Sequence, residues 1–134
     1  MSVKIIRALL VADAALLALV PASRIVAGVL PQGVALPAIG IREISLVEEP
    51  RIDAQAPYTI VEARVEVMVA ASTYAAKVAV RDAMRIAANY ERGTIAGAAV
   101  ISVRRTGNGP DGDDAEAEFY TQTVDFKVVY NEPN

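Results

Sequence analysis

Residues 58–70 alternate between two kinds of side chain, and this alternation restricts the fold more than any other part of the sequence. A period of two is the repeat of a β-strand, whose successive side chains point to opposite faces of a sheet. One face carries Glu62, Arg64 and Glu66, and the other is apolar: Val61, Ala63, Val65, Val67 and Val69. We therefore predict a sheet whose valine face packs on a helix. Its charged face is either solvated or in contact with a neighbouring subunit.

Two segments have the 3.6-residue spacing of helices that cover such a face. Residues 3–11 place Ile6, Leu9 and Leu10 on one side. Residues 74–89, preceded by the candidate N-caps Ser72 and Thr73, form a long central helix. Its predicted sheet-facing side is small and apolar: Ala75, Val78, Ala79, Ala83, Ile86 and Ala87.

The N-terminal apolar run has two interpretations. Lys4 and Arg7 precede apolar residues 8–20, and Pro-Ala-Ser follows, an arrangement similar to a secretory signal peptide. The run is too short to span a membrane, and Asp13 in its middle would be costly in an apolar segment. Asp13 is well placed as the N-cap of a short helix over residues 14–19. We favour a core-packing helix, a cap and a second short helix.

The remaining strands are predicted at residues 38–47, 95–105 and 118–130, with long loops at 48–57 and 106–117. Residues 30–37 contain two prolines and a glycine, so they are predicted to cross the surface of the sheet or follow its edge. The chain is therefore predicted to be one α+β domain over residues 1–134. Its antiparallel or mixed sheet forms a single layer of about four strands, packed by an N-terminal helix and one long central helix.

The composition removes most enzymatic chemistry. The sequence has no His, Cys or Trp, so disulfides, thiolate or histidine metal sites and His-dependent catalytic triads are unavailable. The formal net charge of −3 gives no overall basic surface for nucleic acid. We predict neither a cofactor nor a metal, and no catalysis.

Two acidic loops are candidates for a metal-binding, phosphate-binding or catalytic site. The loop with Asp111, Asp113 and Asp114 lacks the spacing of an EF-hand, and its glycines do not precede a phosphate-binding helix. It is interpreted as a solvated hairpin tip, or as a loop that orders on meeting a partner. The loop with Glu48, Glu49, Arg51 and Asp53 shows no sign of the dry pocket that a catalytic carboxylate pair requires.

Lys77, Arg81 and Arg85 recur every four residues on the central helix and form a basic stripe. Three interpretations stay open at this point. The stripe is a solvated face, a path for nucleic acid, or a subunit contact that faces Glu62 and Glu66 of a neighbour.

Several segments resemble the tail-completion, or tail-terminator, family of siphophages and gene transfer agents. The most specific is the turn at residues 31–39, Pro-Gln-Gly-Val-Ala-Leu-Pro-Ala-Ile, where Val34 replaces the usual alanine. The leucine-rich start with Asp13, the Tyr74-Ala75 pair and the final strand at residues 120–130 also match. The acidic loop at residues 107–118 departs from the pattern by its length and charge.

The resemblance implies an α+β subunit that forms a ring, hexameric in this family, on the tail tube. Such a ring ends tube polymerisation and presents a surface to the head connector, without catalysis. The implied partners are copies of the same chain, the tail tube protein and a head-tail connector or stopper protein, with no membrane. Genomic DNA would pass through the lumen without specific binding, because a net-negative ring repels it. The implied location is the neck end of the virion tail, after assembly in the host cytoplasm.

Two sets of contact residues follow. The predicted subunit interface consists of Pro31, Gln32, Leu36, Pro37, Glu62, Arg64, Glu66, Lys77, Arg81 and Arg85. The predicted tube or connector contacts are Glu48, Glu49, Arg51, Asp53, Asp111, Asp113 and Asp114. The alternatives are another neck component, such as a head-closure or tube ring, and a small-ligand-binding α+β domain.

Overall fold

The computed structural model describes residues 1–31, 33–49, 57–114 and 119–133, and the side chains of these residues except Asp113 and Asp114. The elements follow in this order: α1 (Ser2–Val11), α2 (Ala14–Leu19), a 3₁₀ turn (Ala22–Arg24), β1 (Ile25–Ala27), β2 (Ala38–Glu48), β3 (Tyr58–Ala71), α3 (Tyr74–Ala87), β4 (Glu91–Ile95), β5 (Ala98–Asn108), β6 (Gly112–Asp114) and β7 (Phe119–Pro133).

The strands form one mixed sheet in the order β1-β2-β3-β7-β5-β4, and β6 pairs with β7. β1 is parallel to β2, and the other described pairs are antiparallel. The predicted α+β class and mixed sheet are confirmed, but the expected strand number, about four, is too low. The sequence analysis missed β4 and β6 because Glu-Arg-Gly-Thr-Ile and Gly-Asp-Asp lack the alternation of a half-buried strand.

The buried core lies between the sheet and the helices. On β3 the predicted valine face is buried, and Val65 pairs with the buried Phe126 of β7. On α1, Ile5, Ile6 and Leu10 are buried against this layer. Such burial contributes about 1.5–3 kcal/mol for each large apolar side chain.

The start of the chain folds as the favoured interpretation predicts. α1 packs into the core, and the Asp13 side chain accepts a hydrogen bond from the Leu16 amide at 2.9 Å, which caps α2. Leu16 is fully buried. No helix among the described ranges combines the length and the apolarity needed to span a bilayer.

The predicted orientation of α3 is largely wrong. Thr73 caps the helix as expected, but its buried residues are Lys77, Val80, Met84 and Ala87. Ile86, assigned to the core, is 71% exposed. Alanines at 75, 79 and 83 give little contrast between faces, so the larger Val80 and Met84 decide which side packs.

The chain crosses β2 at residues 28–30, which overlap the predicted crossing segment, residues 30–37, only at Leu30. The Gly28 amide donates to the Ile41 carbonyl at 2.6 Å. A Cβ on Gly40 would lie 2.9 Å from the Gly28 carbonyl oxygen and 3.3 Å from the Leu30 side chain. Gly40 is buried although it lies on the face of the sheet opposite the helices. Position 40 must therefore be glycine, because residues 28–30, which we call the crossing segment, pack directly on it.

This packing predicts that Gly40→Ala destabilises the fold. The added methyl group meets backbone rather than a movable side chain, so the free energy of unfolding should fall by about 1–3 kcal/mol. Gly107→Ala is the matched control, since nothing lies within 4 Å of its added Cβ, and it should change stability by less than about 1 kcal/mol. Urea unfolding followed by circular dichroism measures both. Equal stability of the two variants would show that the crossing segment is not packed on Gly40.

Candidate interaction surfaces

The face of the sheet opposite the helices carries a set of cross-strand ion pairs. The pairs are Arg42 with Glu66 at 2.9 Å, Arg64 with Asp125 at 2.7 Å, and Lys127 with Glu62 at 3.2 Å. They link β2, β3 and β7 through neighbouring rows of the sheet. We call this surface the ionic face.

The ionic face contains three of the predicted interface residues, Glu62, Arg64 and Glu66. Each already has a partner within the chain, and the hydrogen bond and charge of Asp125 raise the pKa of Arg64. Ion pairs this exposed contribute little to stability and can be exchanged. Their role in a subunit contact stays a prediction.

Two depressions lie on the same face. One, of about 250 Å³, lies beside the crossing segment and includes Val29 and Met68 in its lining. The other, of about 390 Å³, includes Arg64, Asn108 and Lys127. A small-ligand site is usually a deep apolar cavity with a few convergent polar groups, and these depressions are open and charged.

Lys77 does not lie on an exposed stripe. Its side chain is 0% exposed, and its ammonium group pairs with the Asp111 carboxylate and lies 4.2 Å from the centroid of the Tyr74 ring. A buried cation needs such partners because its desolvation is costly. The stripe therefore offers a neighbour at most two of its three cations.

Asp111 is the second member of this cluster. Its carboxylate also accepts a hydrogen bond from the Tyr74 hydroxyl at 2.9 Å. The hydrogen bond from Lys77, followed by that from Tyr74, holds the pKa of Asp111 below its ordinary value of 3.8. The Tyr74 ring meets Tyr120 of β7 edge-on, with centroids 5.9 Å apart.

A second set of contacts fastens the same region to α3. Arg81 donates to the Gln122 side-chain oxygen at 2.9 Å, and the Gln122 amide donates to the Gly109 carbonyl at 2.9 Å. The Gly109 amide donates to the Thr123 carbonyl at 2.8 Å. Residues 109–111 are thus held in place. The interpretation of the acidic loop as a solvated tip is therefore wrong for these first residues of the loop. The side chains of Asp113 and Asp114, and residues 115–118, lie outside the described part.

Arg85, the last cation of the stripe, is half-buried. Its Nε atom is buried and has no hydrogen-bond partner among the described atoms. Arg105 donates to the Arg85 carbonyl at 3.4 Å, and both arginines line a depression of about 260 Å³ with Asn108.

The other predicted contact residues are spread around the molecule. Glu48 and Glu49 are exposed at the end of β2, and Pro31 is exposed beside the crossing segment. Leu36 and Pro37 are half-buried. Gln32, Arg51 and Asp53 lie outside the described residues.

The two edges of the sheet were not predicted from the sequence. Among the described residues, β1 pairs only with Ile39, Gly40 and Ile41, so residues 42–48 of β2 form one edge, and β4 forms the other. Three arginines near β4 also received no role: Arg92, Arg104 and Arg105. Two adjacent arginines, Arg104 and Arg105, were the signal for a basic surface in the sequence. Only the order of the strands shows that they lie near Arg92.

The fold and these surfaces define a small α+β protein that presents charges and ion pairs to its surroundings. Among the described residues, no group of three or more Asp or Glu side chains could hold a metal ion. The sequence model of the family described as Tail completion protein gp17 matches residues 4–131. The chain therefore belongs to this family, and the predicted resemblance is confirmed. It is a structural tail protein.

The comparison with solved structures supports the fold. A chain of the structure titled "Virion of native gene transfer agent (GTA) particle" superposes with a TM-score of 0.62 at 15% sequence identity. The alignment covers 94% of this chain and 91% of that chain. A search of curated proteins gives no significant match.

The buried Lys77 predicts a pH-dependent fastening of residues 109–111. Asp111→Asn should lower the free energy of unfolding at pH 7 and speed amide hydrogen exchange at Gly109 and at position 111, because it leaves Lys77 without a counter-charge. The folded-state pKa of Asp111 lies below its ordinary value, so the contribution is fully present above that value and is lost as the pH falls through the folded pKa.

The wild type and Asp111→Asn should therefore converge in strongly acidic solution. Asp82→Asn is the control, because Asp82 is exposed and, within the described ranges, forms an ion pair only with its neighbour Arg81. A difference between wild type and Asp111→Asn that does not change with pH would contradict this account.

Proposed function

We propose that this chain forms a ring, hexameric by the family resemblance, that caps the tail tube and ends its polymerisation. The ring also joins the tail to the head connector or stopper protein. The observation that carries the proposal is the family match over residues 4–131. The proposed role is structural, without catalysis or a cofactor.

The topology supports contacts at two levels of a particle. β3 is paired with β7 from Tyr58 opposite Pro133 to Ala71 opposite Tyr120. The loop between β2 and β3 therefore emerges at one end of these strands, and the loop before β7 emerges at the other. A subunit with this arrangement can contact the tube at one end and the connector at the opposite end.

The predicted contact residues divide between these two ends. Glu48, Glu49, Arg51 and Asp53 belong to the first loop or its border, and Asp111, Asp113 and Asp114 belong to the second. Asp111 is fastened to α3 through Lys77 and Tyr74, so this contact residue is held in a fixed position.

The proposed location is the neck end of the virion tail, after assembly in the host cytoplasm. Genomic DNA passes through the lumen, and the net charge of −3 per chain opposes its retention there. The other neck functions remain the competing hypothesis, since a head-closure ring and a tube subunit would also be structural rings.

Co-assembly with the tail tube protein tests the proposal. Substoichiometric amounts of the purified chain should stop tube growth and appear as a ring at one end of each tube in negative-stain images. The chain alone should form rings but no tubes. These rings should not be retained on duplex DNA at physiological salt.

Three results would contradict the proposal. Tubes grown from this chain alone would identify a tube subunit. A ring that binds the connector and leaves tube growth unchanged would identify a head-closure component. A chain that stays monomeric, alone and with the tube protein, would refute the ring.

A further inference from the structure

One edge of the sheet is left open by the shortness of β1. Beyond Ile41, residues 42–48 of β2 pair with β3 on one side and with no described strand on the other. Unpaired strand edges bind other strands readily, and proteins usually shield them. We call residues 42–48 the open β2 edge.

Apart from Arg42, whose charge is paired with Glu66, the open β2 edge is acidic and apolar. Glu43, Glu48 and the adjacent Glu49 are exposed, and none forms an ion pair with a described residue. Glu43 accepts a hydrogen bond from the Ser2 hydroxyl at 2.6 Å. Between these carboxylates, Ile44 is 42% exposed and Val47 is 61% exposed.

The opposite edge has the complementary chemistry. β4 pairs only with β5 among the described strands, and most of its residues are exposed. Arg92 lies on β4, and Arg104 and Arg105 lie on β5 just beyond Val103, where its pairing with β4 stops. All three are exposed without an ion pair to any described carboxylate, and Glu91 is the acidic residue of β4. We call this surface the arginine edge.

Apolar side chains also lie at the arginine edge. Tyr90, immediately before β4, is 78% exposed, and Ile86, on the last turn of α3, is also exposed to solvent. Tyr90 has a φ of 59°, which is unusual for a large side chain, and its amide donates to the Val103 carbonyl at 2.7 Å. The backbone therefore holds an aromatic ring outward beside the arginines.

We propose that the open β2 edge of one copy binds the arginine edge of the next. Carboxylates meet arginines, Ile44 and Val47 meet Tyr90 and Ile86, and the unpaired backbone groups of both edges become available to each other. The inference rests on the proposed ring and names the surfaces that join its subunits. It assigns Glu48 to the subunit contact rather than to the tube.

The geometry favours a second copy as the occupant. The two edges are different surfaces on opposite sides of one sheet, so a contact between them is head-to-tail. Each copy then uses one edge of each kind, and the contacts repeat until the ring closes. The charges of the ionic face, including Arg42 of the open β2 edge, are already paired within the chain, whereas Glu43, Glu48 and the three arginines form no ion pair with a described residue.

Charge reversal tests the inference. Variant A is Arg92→Glu with Arg104→Glu, and variant B is Glu43→Lys with Glu48→Lys. Each variant alone has two edges of the same charge, so the concentration needed for half-assembly should rise on the order of 100-fold. An equimolar mixture of A and B should assemble again, because each edge then finds an opposite charge on the other variant. Sedimentation velocity gives the masses, and circular dichroism checks that each variant is folded.

A swap on the ionic face is the matched control. Glu62→Lys with Lys127→Glu exchanges one ion pair and keeps the net charge, so assembly should be unchanged. If the swap abolishes assembly while A and B still assemble, the interface lies on the ionic face and the edge inference is wrong.

Two further outcomes separate this inference from the proposed function. Variants A and B that still form rings and still cap tubes would overturn the edge contact and leave the capping function intact. Retention of the wild type on duplex DNA, against the expectation above, together with its loss in a variant A that still assembles, would assign the arginine edge to nucleic acid and overturn the inference. A wild type that neither assembles nor caps tubes would overturn both.

Discussion

The pairing of β3 with β7 along their whole length is the interaction on which the rest of the structure depends. Its register places Val65 opposite Phe126 on the face that the helices cover, and Arg64 opposite Lys127 on the ionic face. A slip of one residue would turn the valines to solvent and the charges toward the core. The same register sets the two loops at opposite ends of the sheet. β2 and β5, which pair on either side of β3 and β7, continue the same two faces.

The surfaces arranged around this central strand pair have different proposed roles. α3 covers the apolar face and, through Lys77 and Arg81, fastens the beginning of the acidic loop. The strand ends carry the loops that we assign to the tube and the connector. The sheet edges carry charges of opposite sign, most of them without an ion pair to a described residue. In the proposed ring, a single folded unit therefore uses separate surfaces for its own copies and for other tail proteins.

The sequence predicted those features that depend on local pattern. The alternation of residues 58–70 and the caps at Asp13 and Thr73 could be assigned in this way, whereas the crossing over β2 was expected a few residues later in the chain than it occurs. The orientation of α3 could not, because alanine-rich helices have little contrast between faces and tertiary packing decided the matter through Val80 and Met84. The burial of Lys77 depends on Asp111, which is distant in sequence, and the two edges exist only once strand order is known. The family could be recognised because its most specific turn, residues 31–39, is short and continuous.

Cross-linking of neighbouring copies tests the head-to-tail assembly most directly. The chain has no cysteine, so a variant with Ile44→Cys and Thr94→Cys carries one thiol at each edge and no others. With a short bis-maleimide, this variant should give a ladder of covalent multimers that ends at one fixed copy number, six in the proposed ring. An equimolar mixture of the two single variants should give dimers only. Dimers formed by either single variant alone, or an assembled double variant that gives no ladder, would contradict the account.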